Sequence, residues 1–170
     1  MPQPLERIAT AVGDLTGATF RQPAGGGLLG RPSGALQDLT ATTVDLALQN
    51  LWNGGVLVPV VAWTRADGQS QHRLFGDPAR IDTDLDFALQ GARATVDAFN
   101  PEQVARYVWV YDGYAGRNHH ESVIVEAAEQ GGSYGWLLAA RYRLSKRGIT
   151  LVDQDMLEVA TVRTPLSALF

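Results

Sequence analysis

The densest set of side chains capable of metal chemistry in this sequence is the run His119-His120-Glu121. Imidazole and carboxylate groups are preferred zinc ligands, and a catalytic zinc site uses three protein ligands and one water. On a strand, His119 and Glu121 lie on one face and His120 lies on the other. A third ligand would have to come from elsewhere, and the candidates are His72, Asp112 and Asp67. The alternative is a polar hairpin loop, and we predict no bound metal or other cofactor.

Nucleophilic and carboxylate catalysis find equally little support. The sequence has no cysteine and no G-x-S-x-G elbow. Ser122 follows the histidine run, but neighbouring side chains on a strand point apart, so their closeness in sequence does not indicate a hydrogen-bonded dyad. Glu121 and Glu129 share one strand face while Glu126 takes the other, which separates the carboxylates that a hydrolase would pair. We predict no catalytic residues. A metal-assisted hydrolase centred on the histidine run is the enzymatic alternative.

Two short patterns match ligand-binding loops only in part. Residues 25–30 fit G-x-G-x-x-G, but no apolar strand precedes them and Pro32 follows. Residues 82–86 place acids as a calcium loop does, but Phe87 and Arg93 stand where that loop needs Gly and Glu. We interpret the first pattern as part of an arm, and the second as the acidic first turn of a helix.

The basic cluster of the chain comprises Arg141, Arg143, Lys146 and Arg147. Arg141 and Arg143 share a strand face and are candidates for contact with an acidic partner surface or a phosphate. The alternative is pairing with Glu126 or Glu129 across a sheet ladder. We therefore predict that Arg141 and Arg143 belong to an interaction surface.

Aromatic residues gather in the same half of the chain, at Trp109, Tyr111, Tyr134, Trp136 and Tyr142. Alternation places Trp109 and Tyr111 on one face of their strand. One aromatic face would suit a groove for a small molecule, because Trp and Tyr combine apolar area with a polar group. The alternative use of these rings is core packing.

The C-terminal segment ends in apolar residues, namely Leu166, Leu169 and Phe170. Each would contribute about 1.5–3 kcal/mol if fully buried. Pro165 restricts the unbound conformations, which favours the segment as a recognition tail. We predict that this tail and the glycine-rich arm dock on a neighbouring copy or another protein. The alternative is that the tail folds back over its own sheet.

Composition supports a single folded domain and excludes several classes of protein. The 170 residues are 45% hydrophobic and 19% charged, with a net charge of −4. The acidic balance argues against nucleic-acid binding. The longest apolar run has eight residues, whereas a membrane-spanning helix needs about 20. Without a recognisable targeting segment, we predict a cytoplasmic protein. Thirteen of the fourteen basic residues are Arg, which is typical of a GC-rich bacterial or bacteriophage genome.

Apolar periodicity predicts the elements that position these residues. Helices are expected over 36–52 and 82–99, and a β-hairpin over 56–75 with its turn at 66–68. Four strands in a meander are expected over 105–111, 121–128, 134–144 and 149–155. The resulting fold class is α+β: a mainly antiparallel sheet with both helices on one face. The core is expected to include Leu48, Leu51, Leu85, Leu89 and Val96.

Three regions and one principal function follow from this pattern. Residues 1–35 form a short helix and a glycine-rich arm, residues 36–158 the α+β domain, and residues 159–170 the extended tail. The predicted function is a non-catalytic protein–protein interaction or assembly subunit, with a protein partner or further copies of itself. The alternatives are a small-molecule-binding domain and the metal-assisted hydrolase.

Overall fold

The computed structural model describes residues 32–54, 56–77, 80, 83–115, 120–132, 135–145, 148–151 and 158–167. In this part of the chain, helix α1 is Gly34–Gly54 and helix α2 is Leu85–Asp97. The strands are β1 Val60–Arg65, β2 Ser70–Leu74, β3 Val104–Ala115, β4 His120–Glu129, β5 Gly135–Ser145, β6 Gly148–Leu151 and β7 Glu158–Val162. The short N-terminal helix and nearly all of the arm predicted from the sequence lie outside the described residues.

Helix α1 begins at a serine cap. The Ser33 hydroxyl accepts a hydrogen bond from the Leu36 N–H at 3.1 Å. The same residue donates to the Glu129 carboxylate through its N–H at 2.9 Å and its hydroxyl at 2.5 Å. Because Glu129 is the last residue of β4, this contact joins the start of the helix to one end of the sheet.

The hairpin of β1 and β2 turns at Ala66-Asp67-Gly68, as expected. Gly68 has φ +92°, a conformation that residues with a side chain rarely adopt. A proline inside this segment predicts an edge strand or a bulge. Strand β1 lies between β2 and β3 rather than at an edge, and its register with β3 shifts between Thr64 and Arg65. Pro59 immediately precedes β1, where its missing N–H removes no ladder bond, and its carbonyl accepts from the Phe75 N–H at 2.9 Å.

The sheet has the order β2-β1-β3-β4-β5-β6 within the described residues, and all its pairs are antiparallel. Strand β7 also pairs with β5, beside the first half of that strand. A Cβ atom on Gly135 would lie 2.9 Å from the Ala127 carbonyl oxygen and 2.5 Å from Thr164 Cγ2. Glycine at the start of β5 thus lets the C-terminal segment approach the sheet closely.

The α+β class with an antiparallel sheet is confirmed, but the two helices lie on opposite faces rather than on the one face predicted. Neighbouring strand residues point to opposite faces. Val60 packs in the core with α1, whereas Val61 packs in the core with α2. In β3, all four residues 107–110 are at most 1% exposed, so this strand is buried on both sides. Because both faces of the sheet are buried at this strand, each face needs a covering layer, and α1 and α2 supply one each.

The two helices bury apolar stripes of different composition. The apolar face of α1 is long and bulky, with Leu36, Leu48 and Leu51 at most 2% exposed. The buried stripe of α2 consists of Ala88, Ala92 and Val96. Leu85 and Leu89, predicted to be buried, are only half-buried. The small residues of this stripe share a core with the large side chains of Tyr107 and Trp109, and Leu89 packs at the margin of that core. No described helix combines the length and apolarity needed to span a membrane.

Candidate functional site

The histidine run predicted as a metal site is only partly described. His119 lies outside the described residues. His120 and Glu121 begin β4, opposite Ala115 and Tyr114 of β3. Within the described ranges, no group of three or more His, Cys, Asp or Glu side chains is arranged to hold a metal ion.

The basic residues of β5 are not placed opposite the acids of β4. Arg141 lies opposite Ser122, and Arg143 lies beyond β4, opposite Thr150 of β6. Glu126 lies opposite Leu137 instead. Direct cross-strand pairing of these arginines with the glutamates, the alternative interpretation, is therefore wrong in register. Their role in binding an acidic partner surface stays a prediction, and Lys146 and Arg147 lie outside the described residues.

Part of the predicted recognition tail belongs to the domain's own core. Leu166 is 2% exposed and packs in the cluster between α2 and the sheet. Its backbone is held in a turn, in which the Ser167 N–H donates to the Thr164 carbonyl at 3.0 Å and the Ser167 hydroxyl accepts from the Thr164 N–H at 2.9 Å. As far as Ser167, the C-terminal segment therefore folds back on its own sheet, which was the alternative to a recognition tail. Leu169 and Phe170 lie outside the described residues.

The aromatic residues divide between the two cores. Trp109 and Tyr111 share the α2 face, as predicted, with ring centroids 4.5 Å apart. The Arg93 guanidinium of α2 lies 5.0 Å from the centroid of the Trp109 ring. Trp136 packs in the opposite core, against α1. Tyr134 lies outside the described residues, so the rings that the sequence grouped do not form one continuous described face.

A half-buried carboxylate lies on the α2 face of the sheet. The Tyr107 hydroxyl donates to Glu126 Oε2 at 3.3 Å. Burial raises the pKa of the Glu126 carboxyl, and the nearby Asp97 adds to the increase. The hydrogen bond from Tyr107 and the positive charge of Arg93 act in the opposite direction. Because burial is the largest influence, the folded protein holds this proton to a higher pH than the unfolded chain does.

Stability is therefore expected to depend on the protonation of Glu126. A raised folded pKa stabilises the protein below the ordinary glutamate pKa of about 4.3, and this contribution is lost as the pH rises through the folded value. Glu126→Gln should increase the free energy of unfolding at pH 7 and flatten its fall with pH above the ordinary value. Urea titrations at several pH values measure both effects. Asp38→Asn, at an exposed position, is the control for removing one negative charge, and an unchanged pH profile in Glu126→Gln would contradict the prediction.

Strand β2 forms one edge of the sheet, and its backbone hydrogen bonds show which groups face outward. The Arg65 N–H donates to the Gln69 carbonyl at 2.8 Å, and the Phe75 N–H donates to the Pro59 carbonyl at 2.9 Å. In an antiparallel ladder, hydrogen-bonded pairs alternate with pairs that share no hydrogen bond. The odd-numbered residues 69–75 therefore direct their N–H and C=O groups toward β1.

The even-numbered residues of β2 direct the same groups away from the sheet. These residues are Ser70, His72 and Leu74, which face β1 only through non-hydrogen-bonded pairs. Residues 70–73 are all exposed, so solvent reaches this edge. Among the described residues, β2 pairs with β1 alone. The edge therefore offers a row of backbone donors and acceptors to another chain.

An open groove of about 490 Å³ lies beside this edge on the α2 face of the sheet. Its lining comprises Trp63, Arg65, Ala66, Asp67, Gln71, Phe99, Glu102, Gln103 and Val104. The Trp63 and Phe99 rings form an apolar wall, with centroids 5.5 Å apart and planes inclined at 47°. Arg65 Nε lies 3.9 Å from Asp67 Oδ2.

Short hydrogen bonds hold the far wall of the groove in shape. The Asn100 carbonyl accepts from the N–H groups of Gln103 and Val104, each at 2.9 Å, and its side-chain oxygen accepts from the Glu102 N–H at 2.9 Å. The Ala66 N–H donates to the Gln103 carbonyl at 2.8 Å, which ties the hairpin turn to this loop. The groove is thus preformed by local backbone contacts.

The sequence did not indicate this groove or its residues as a site. Trp63, Phe99 and Glu102 come from a strand and a loop that are distant along the chain, and nothing in either segment shows that they meet. The unbroken run of polar residues over 69–73 was the available signal, because it marks a strand without an apolar face. Comparison of the chain with protein-family models, curated proteins and solved structures found no match.

Proposed function

We propose that this chain is a non-catalytic protein-interaction domain that binds an extended segment of a partner as an additional strand beside β2. The observation that carries the proposal is the exposed edge of β2, where Ser70, His72 and Leu74 direct their backbone groups outward. In strand addition, main-chain hydrogen bonds supply affinity and neighbouring pockets supply specificity. Both components occur here, because the 490 Å³ groove adjoins the same strand.

The composition of β2 fits a selective edge. A long, flat and hydrophobic edge strand promotes aggregation, and short or charged edges avoid it. Strand β2 has five residues, and its exposed positions include His72 and Arg73. The Arg73 guanidinium lies 4.8 Å from the centroid of the Phe75 ring, which holds one charge close to the edge. Binding there therefore depends on a partner that complements the groove as well as the backbone.

The segments predicted from the sequence to dock belong to the same proposal. The part of the predicted arm that precedes Ser33, together with Leu169 and Phe170, supplies further contacts to a partner or to a second copy. Ser33 and Gly34 are excluded from that role because they begin α1. Leu166 is excluded from that role because it is buried in its own domain. Arg141 and Arg143 remain proposed contacts for an acidic partner surface. Native mass measurement at micromolar concentration distinguishes association between copies from binding of another protein.

A proline scan along the edge strand tests the proposal. Peptides selected from a displayed library of extended sequences should bind the wild-type chain. His72→Pro should weaken this binding at least about tenfold, because it removes an outward donor and places a ring where the added strand would lie. His72→Ala should retain binding, since only the side chain changes. Fluorescence anisotropy of the labelled peptide measures all three affinities.

Two controls separate loss of the edge from loss of the fold. Gln71→Pro removes a donor that faces β1 and should lower Tm strongly, whereas His72→Pro should change Tm little. If His72→Pro also unfolds, N-methylation of alternate peptide residues provides the same test from the ligand side. Methylation of the peptide N–H groups that point toward β2 should abolish binding, and methylation of the N–H groups that point away should not. Equal binding of both methylated series would contradict strand addition.

A small-molecule-binding domain is the second candidate. The groove volume falls in the range of ligand pockets, about 300–1,000 Å³, and two aromatic rings line it. A ligand held by the groove alone would be indifferent to His72→Pro. The same variant therefore distinguishes the two functions.

A further inference from the structure

We infer that the groove beside β2 selects a lysine or arginine side chain within the strand that the partner adds. This inference rests on the proposed function and specifies the kind of partner segment that the edge would accept. Three features carry it: the register of Gln71, the two aromatic rings, and the position of Glu102.

The register places one partner side chain beside the groove. Gln71 lies opposite Trp63, so both residues are on the α2 face of the sheet. Since Gln71 directs its backbone bonds toward β1, it forms a non-hydrogen-bonded pair with a strand added antiparallel to β2. Side chains approach each other most closely in such pairs. The partner residue opposite Gln71 therefore has its side chain on the groove face.

The reach from the added strand favours a long side chain. Successive strands are about 4.8 Å apart, so the partner backbone lies about 9.6 Å from the backbone of β1, which carries Trp63. A short side chain ends over Gln71. Lysine and arginine extend across it toward the Trp63 and Phe99 rings, and their methylene stems pack on apolar surface while the charged end stays near water.

The chemistry of the lining favours a positive charge at the end of that side chain. Trp63 and Phe99 present aromatic rings, which attract cations. Among the ionisable lining residues, Arg65 lies against Asp67, at 3.9 Å. Glu102 then gives the groove a net negative charge, and a lysine or arginine would form a charge-assisted hydrogen bond with it. A glutamate in the same position would be repelled.

Three peptides that differ at one position test this selection. The probe is Ac-Thr-Val-Thr-Lys-Thr-Val-Thr-NH2, with norleucine or glutamate in place of lysine as the matched comparisons. Wild-type protein should bind the lysine peptide about tenfold more tightly than the norleucine peptide, and the glutamate peptide more weakly than either. Equal affinity for lysine and norleucine would overturn the selection while leaving strand addition intact.

Variants of the groove and of the edge separate the inference from the proposed function. Glu102→Gln should remove most of the preference for lysine over norleucine and change norleucine binding less than about twofold. Phe99→Leu, which keeps an apolar wall without a ring, should reduce lysine binding several-fold. His72→Pro should abolish binding of all three peptides. If His72→Pro binds every peptide as the wild type does, the proposed function fails instead.

A competition experiment with butylammonium tests whether the groove binds a cation without a partner strand. As an isolated cation it lacks backbone groups, so it should compete with the lysine peptide only weakly. Competition at the affinity of the peptide itself would identify the groove as a site for small organic cations and would overturn the assignment of a partner strand.

Discussion

Replacing Leu166 with alanine is expected to lower the free energy of unfolding by about 2–5 kcal/mol, the usual cost of truncating a buried leucine. Leu166 is 2% exposed and contacts the core between α2 and the sheet. Equilibrium urea unfolding of the full chain measures the loss. The size of the effect decides whether this part of the C-terminal segment is a structural element of the domain.

Arg163→Ala is the matched control for this substitution. Arg163 lies in the same segment but is exposed, and its truncation should change stability by less than about 0.5 kcal/mol. Deleting residues 164–170 should destabilise the chain at least as much as Leu166→Ala does, because it also removes the turn formed by Thr164 and Ser167. An unchanged monomer after deletion would contradict the burial of Leu166 and would favour a tail that serves the partner alone.

Trp109→Ala is expected to lower the free energy of unfolding by about 3–5 kcal/mol, since it leaves a large cavity in the core between α2 and the sheet. The Trp109 ring is 1% exposed and contacts the Tyr111 ring and the Arg93 guanidinium. Its indole Nε1 is buried without a hydrogen-bond partner among the described residues. The ring therefore stabilises the fold by packing rather than by its polar group.

Trp109→Phe distinguishes the two contributions. Phenylalanine keeps an aromatic ring beneath Arg93 and removes a buried donor that has no partner, so the loss of stability should be much smaller than for alanine. Denaturant unfolding of both variants provides the comparison. If phenylalanine is as damaging as alanine, the indole N–H has a partner whose loss is costly, and the packing explanation is wrong.

Hydrogen bonds within the chain hold the walls of the groove beside β2, which favours the proposed recognition of a partner strand. Asn100 fixes the loop that carries Phe99 and Glu102, and the Ala66–Gln103 bond joins that loop to the hairpin turn. A preformed site loses less conformational entropy on binding. This rigidity makes the peptide comparisons sensitive to the chemistry of one side chain rather than to rearrangement of the protein.

Local physical chemistry in the sequence determined most of the elements. The 3.6-residue apolar period marked α1, and Ser33 was one of the two residues whose positions suited its cap. The second helix begins later than predicted, with Asp84 as its N-cap rather than within its first turn. The Asp67-Gly68 turn marked the β1–β2 hairpin. These features depend on residues only a few positions apart, which is why they can be predicted without knowledge of the fold.

Only the tertiary structure decided how these elements are layered and which surface is left open. Apolar periodicity shows that a helix has a buried side, but it does not identify the sheet face that the helix covers. The prediction that both helices share one face therefore had no local basis, and the structure places them on opposite faces. The strand order likewise depends on long-range pairing, and that order made β2 the exposed edge and enclosed β1. Leu166 could have packed on its own core or on a partner's with similar gain from burial. The groove of Trp63, Phe99 and Glu102 exists because two segments distant in sequence meet, a proximity that no local pattern encodes.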